Sequence, residues 1–98
     1  MFVGSLAADL HLGDVRSLKQ KRSVVRPIVA EVQRRFDVSV AETGHRDLYQ
    51  RAEIGVAVVS GDTTAIRDVL DDVERLLAGR PEVELLSVHR MTFNDRDE

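Results

Sequence analysis

A chain of 98 residues, 43% hydrophobic and 32% charged, has the length and composition of one ordinary globular domain, residues 1–98, with no room for a second. It contains no cysteine, which excludes disulfides, thiolate nucleophiles and Cys-ligated zinc and fits a reducing cytoplasm. A net charge of −3 argues against a general nucleic-acid binder, no apolar run approaches the roughly 20 residues that span a bilayer, and Met1-Phe2-Val3-Gly4 does not read as a secretory leader.

Residues 2–12 alternate, with Phe2, Gly4, Leu6, Ala8, Leu10 and Leu12 on one side and Val3, Ser5, Ala7, Asp9 and His11 on the other, the pattern of a half-buried strand. Gly13-Asp14 ends it, and Ser17 caps a helix through Phe36 whose apolar stripe is Leu18, Val25, Val29, Val32 and Phe36. Pro27 lies inside that helix and predicts a kink, or a helix regular only from about that point. A second strand runs from Asp37 to about Thr43, with Val38 and Val40 inward, and Gly44 to Tyr49 form a polar loop. The third strand, Gln50 to Ser60, turns Ala52, Ile54, Val56 and Val58 toward the core. Ser60-Gly61-Asp62-Thr63 turns the chain and supplies an N-cap, and the second helix carries Ile66, Val69, Leu70, Val73, Leu76 and Leu77 on one face. Gly79 and Pro81 stop it, a last strand runs from Glu82 to Phe93, and residues 94–98 form a charged tail expected to fray. The order βαββαβ with amphipathic helices predicts an α+β, ferredoxin-like sandwich with two helices on one face of a four-stranded antiparallel sheet.

The open sheet face of such a fold carries Ser5, Ala7, Asp9, His11, Ser39, Ala41, Thr43, Arg51, Glu53, Gly55, Ala57, Ser87 and His89. Its two central strands offer no aromatic there, so bases would not stack on it as on an RNA-recognition sheet. The small residues Ser5, Ala7, Ala41, Gly55 and Ala57 suit a packing interface, and a homo-oligomer there would relieve the small size of the core. Asp9, His11, Glu53 and His89 share this face as a conceivable metal or acid–base cluster, yet no ligand spacing such as HxxxH supports it, and scattered histidines are more often plain surface groups. His45 sits in a loop with no strained-turn serine nearby, and reads as structural. Acylphosphatase-like chemistry pairs a first-loop arginine with an asparagine on a neighbouring strand; Arg16 is suitably placed, but the only asparagine, Asn94, is in the tail. The glycines are scattered and form no phosphate loop, so no catalytic residue, metal site or cofactor is assigned.

Charge is the strongest functional signal. Residues 16–35 hold seven basic side chains against one acidic, whereas residues 62–75 hold five acidic against two basic. Arg16, Lys19, Lys21, Arg22, Arg26 and Arg34 are the candidate partner-binding set, with Lys19, Arg26 and Arg34 outward and Arg22 at the edge of the buried stripe. The plainer reading is a solvated helix face partly paired to Glu31, Glu42 or the acidic helix, with Lys21 and Arg22 laying their stems over the core.

Ser17-Leu18-Lys19-Gln20-Lys21-Arg22, Phe36-Asp37-Val38-Ser39-Val40-Ala41-Glu42 and Tyr49-Gln50-Arg51-Ala52, with Val3-Gly4 and Pro81-Glu82-Val83-Glu84 at the ends, resemble the YlxP-like family of bacterial proteins over nearly the whole chain. The sequence departs from that pattern at Asp37, Tyr49 and Pro27. The resemblance implies the ferredoxin-like fold and a bacterial cytoplasmic protein encoded among genes for translation initiation and ribosome maturation. It supplies no reaction, and marks Lys19, Lys21, Arg22, Glu42, Gln50 and Arg51 as motif positions. The leading expectation is a non-catalytic accessory factor that meets ribosomal RNA or a ribosome-associated protein through the basic helix. A homo-oligomeric module joined through the sheet face is the second, and a metal- or His-dependent enzyme the third, conditional on His11 and His89 sitting together.

Overall fold

A computed structural model describes residues 1–96. The chain runs β1 (Phe2–His11), α1 (Leu18–Arg35), β2 (Ser39–Gly44), β3 (Arg51–Ser60), α2 (Thr63–Ala78) and β4 (Glu84–Asn94). The strands form one antiparallel sheet in the order β2-β3-β1-β4, and both helices cover one face of it. This is the ferredoxin-like sandwich that the alternation of β1 and β3 predicts.

Between sheet and helices lies a continuous apolar core. Leu6, Leu10, Ile54 and Val56 enter it from the strands, Ile28 and Val32 from α1, and Ile66, Leu70, Val73 and Leu77 from α2. Gly4 marks the closest approach of β1 to α2, since a Cβ there would stand 2.3 Å from Ile66 Cγ2. The Asp62 carboxylate caps α2 by accepting from Thr64 N at 2.9 Å.

Three local expectations are corrected. α1 is helical from Leu18 on and not only from about Pro27; Pro27 is exposed, as is Ser23, whose carbonyl loses its bond to the missing N–H. That carbonyl can turn to water while Val25, Ile28 and Val32 hold the helix to the core on its other side. The buried line of α1 is Lys21, Val25, Ile28 and Val32 rather than a stripe beginning at Leu18, which is 41% exposed. At the chain's end, Asn94 is the last residue of β4, and the Asp95 carboxylate meets the N-terminal ammonium at 3.0 Å. The remainder of the expected tail, residues 97–98, lies outside the described residues.

Candidate anion-binding groove

The first turn of α1 is fixed by side chains that reach back to the backbone. Ser17, extended at φ −151° and ψ 161°, accepts from Gln20 N at 3.1 Å through Oγ, and Gln20 Oε1 accepts from Arg16 N at 2.7 Å. This reciprocal arrangement is close to a capping box and satisfies donors that a helix start leaves free.

One turn on, Lys21 enters the core edge and is 3% exposed. Its ammonium donates to the carbonyls of His45 and Leu48, each at 2.7 Å, and lies 2.8 Å from Glu42 Oε2. An ammonium has three donors, and Lys21 has three partners. Glu42 Oε2 is itself buried, with Lys21 as its ionic neighbour and no well-aligned hydrogen bond of its own. Lys21 thus ties α1 to β2 and to the loop between β2 and β3, where His45 takes a positive φ of 57°. Its burial removes it from the candidate partner-binding set: it shapes the surface without being part of it.

With the loop pinned, α1 and the loop enclose a groove of about 790 Å³. Leu18, Val25, Val29 and Ala30 give it an apolar floor; Arg22, Arg26 and Gln33 line it from α1, and Arg46, Asp47 and Glu42 from the other side. Lys19, Arg22 and Arg26 follow one helical stripe, and together with Arg46 they meet no carboxylate at ion-pair distance among the described residues. The other basic residues of the segment are engaged. Arg16 pairs with Asp14 at 2.9 Å, and Arg34 and Arg35 approach Glu31 at 3.9 and 3.8 Å. The structure therefore sorts the six sequence-predicted residues: Lys19, Arg22 and Arg26 are exposed with no carboxylate at ion-pair distance among the described residues, Arg16 and Arg34 are exposed but each lies against a carboxylate (Asp14 and Glu31), and Lys21 is buried. Arg46 was missed, because nothing in Gly44 to Tyr49 shows that Lys21 folds that loop against α1.

The acidic helix is matched from elsewhere. Arg90 donates to Asp71 at 2.8 Å and Glu74 at 2.9 Å, and Arg75 pairs with Asp72 at 2.8 Å. Burial lowers the Arg90 pKa, but hydrogen bonds to Asp71 and Glu74 and their charge outweigh it, and the net shift is upward. Arg80 bridges Glu31 at 2.5 Å and Glu82; burial opposes its charge and the two carboxylates prevail, so its pKa also rises. Burial raises the Glu82 carboxyl, but the Arg80 hydrogen bond and charge carry it below its ordinary value.

On the other side of the sheet, the expected acid–base cluster separates into pairs. Asp9 pairs with Arg51 and stands 3.4 Å from His45 Nε2, while Glu53 accepts from the Thr43 hydroxyl at 2.7 Å. His89 lies opposite Ala7, four residues along β1 from His11, or about 13 Å at strand rise. The two histidines do not sit together. Among the described residues, no group of three His, Asp or Glu side chains is placed to hold a metal ion. The small residues do converge: Ser5 faces Ala57, Ala7 faces Gly55, and Ala41 faces Gly55 from the other flank.

Sheet order, helix placement and the groove define a ferredoxin-like α+β sandwich with a basic cleft on its helical side. The chain belongs to the family described as "Protein of unknown function (DUF503)", which matches residues 3–90. It is 34% identical over 82 residues to the "Uncharacterized protein YlxP" of Bacillus subtilis, a match covering 84% of this chain and 89% of that one. Solved structures of similar shape include SnoaB, a cofactor-independent oxygenase from Streptomyces nogalater, at a TM-score of 0.52 and 13% identity over 98% of this chain and 95% of that chain. A de novo designed ferredoxin-fold protein, LFR1 1, matches with a TM-score of 0.52 and 13% identity over 99% of this chain and 89% of that chain. An oxygenase and a designed protein sharing one backbone at such identity demonstrate the fold and carry no chemistry.

Proposed function

We propose that this chain is a non-catalytic, cytoplasmic accessory protein that binds ribosomal RNA by laying the groove between α1 and the 45–50 loop along a phosphate backbone. The observation behind the reading is the set of Lys19, Arg22, Arg26 and Arg46, which line or flank a groove and have no ion partner among the described residues. Arg22 and Arg26 rise about 6 Å along the helix from one to the other, so both can face one strand. Guanidinium groups suit phosphate because they donate two parallel hydrogen bonds to it. The central strands carry no aromatic on the open face, so the recognition is of backbone and shape rather than of stacked bases. The translation-related gene neighbourhood implied by the family resemblance makes ribosomal RNA the RNA to test.

Binding of ribosomal RNA and of 30S particles, followed by fluorescence anisotropy, is expected to weaken steeply with salt. Four phosphate contacts give a loss of about 100-fold between 50 and 200 mM salt. The triple variant Lys19→Glu, Arg22→Glu, Arg26→Glu abolishes binding, whereas Arg67→Glu on exposed α2 surface leaves it in place. Undiminished binding by the triple variant, or capture of a ribosomal protein without RNA, refutes the proposal.

A further inference from the structure

The open sheet face is graded along its strands. One row across β3, β1 and β4 is Val59, Val3 and Phe93, and the next is Ala57, Ser5 and Met91. Val59, Met91 and Phe93 are 63%, 55% and 51% exposed, so the bulkiest apolar groups of this face stand in water. Toward the opposite edge, Ala41, Gly55, Ala7 and their neighbours floor a hollow of about 330 Å³. Beyond it the face becomes charged, with the Arg51–Asp9 pair and Glu53. Met91 and Phe93 thus protrude from the β4 edge, while the hollow spans β2, β3 and β1 and reaches β4 only at His89. A surface carrying both a knob and its socket is what a twofold interface requires, since each copy then gives and receives the same contact.

We propose that the open sheet face is the interface of an isologous homodimer, with Met91 of each copy seated in the small-residue hollow and Phe93 against Val59 of the other. A twofold axis parallel to the strands, between β3 and β1, sets β4 of one copy over β2 of the other and joins apolar end to apolar end. An axis across the strands is disfavoured, because it presses Val59 and Phe93 onto the Arg51–Asp9 pair and strips it of water. The size sits at the lower bound: three strands about 33–36 Å long and β2 at about 20 Å, about 4.8 Å apart, present roughly 580 Å² in flat projection, against the roughly 600–1,000 Å² per partner buried in stable complexes, and the protruding Met91, Phe93 and Val59 add relief to that plane. Both helices lie on the far side, so the two α1 grooves stay open and the dimer stands independently of the RNA reading.

Sedimentation of the full chain, 11.0 kDa as a monomer, is expected to give a species of twice that mass at micromolar concentration. Met91→Asp and Phe93→Ser each weaken the dimer by at least about 30-fold, the loss typical of a residue that anchors an interface in a pocket, with the far-ultraviolet dichroism unchanged because both side chains are surface groups. The chain has no cysteine, so Met91→Cys combined with Ser39→Cys tests the axis. Within one copy these positions sit on opposite edges, three strand spacings or about 14 Å apart, too far for a disulfide. Oxidation must therefore yield a covalent dimer. A monomer at millimolar concentration, a dimer indifferent to Met91→Asp and Phe93→Ser, failure of the cysteine pair to cross-link, or a monomer that covers this face with a different protein each overturns the proposal.

Discussion

Replacing Lys21 with methionine tests the argument that one buried ammonium organises the helical side of the molecule. The substitution keeps the length and apolar stem of the side chain and removes three interactions at once, those to Glu42, His45 O and Leu48 O. Taking one partner from a buried ion pair costs about 3–5 kcal/mol, because the other charge is left without compensation. The Glu42 side chain is 25% exposed and recovers some hydration, which places the expected loss near the lower end, about 3 kcal/mol. For a domain of this size that is roughly 12–24 °C in melting temperature, a large share of a total stability of about 5–15 kcal/mol. Urea and thermal unfolding monitored by circular dichroism measure it directly. Adding Glu42→Leu removes the orphaned carboxylate, so the double variant is expected to be less destabilised than the sum of the singles by about 1–3 kcal/mol. A cost below about 1 kcal/mol for Lys21→Met, or strict additivity with Glu42→Leu, would show that the ammonium does not hold the loop.

Glycine substitutions in two adjacent central strands should differ in cost. At Gly4 a Cβ meets Ile66 Cγ2 at 2.3 Å, and Ile66 is 1% exposed and cannot move aside, so Gly4→Ala is expected to cost about 1–3 kcal/mol in urea unfolding. At Gly55 the clash is with exposed Thr43, 2.6 Å from its Cγ2, which can rotate at the expense of its bond to Glu53; Gly55→Ala is expected to cost under about 1 kcal/mol. Equal costs would refute the packing argument. Acid sensitivity supplies another check through Glu82, whose folded pKa lies below its ordinary 4.5. Its contribution is present above that ordinary value and is lost as pH falls through the lowered one. The pair is partly solvated, so melting curves of the parent and Glu82→Gln should differ by at most about 1 kcal/mol at neutral pH, begin to converge as pH falls past 4.5 and coincide below the lowered folded pKa; a gap that widens in acid refutes the assignment.

β1, β3 and α2 are legible in the sequence because their hydrophobic periods match their burial, through Leu6-Ala8-Leu10, Ala52-Ile54-Val56 and Ile66-Leu70-Val73-Leu77. In α1 the phase is lost by a few residues, since the position that opens its buried line is a lysine, and a charged residue reads as surface. Only the tertiary partners of Lys21, 21 to 27 residues away in sequence, reverse that reading. The groove is half legible. Helical geometry alone brings Lys19, Arg22 and Arg26 onto one stripe, but Arg46 joins them through a loop whose course no local pattern encodes. On the open face, alternation places Ser5, Ala7, Gly55 and Ala57; the exposure of Met91 and Phe93 depends on β4 continuing as an edge strand to Asn94.

The chain has only two lysines, Lys19 in water and Lys21 sealed beneath the loop, two residues apart on the same helix. An amine-reactive reagent therefore meets a built-in reporter and its reference. Modification at Lys19 measures the reagent, and modification at Lys21 measures how often α1 and the loop come apart. Their ratio follows the opening of the groove wall without any engineered probe, and a ligand that clamps the loop onto the helix registers as slower labelling of the inner amine.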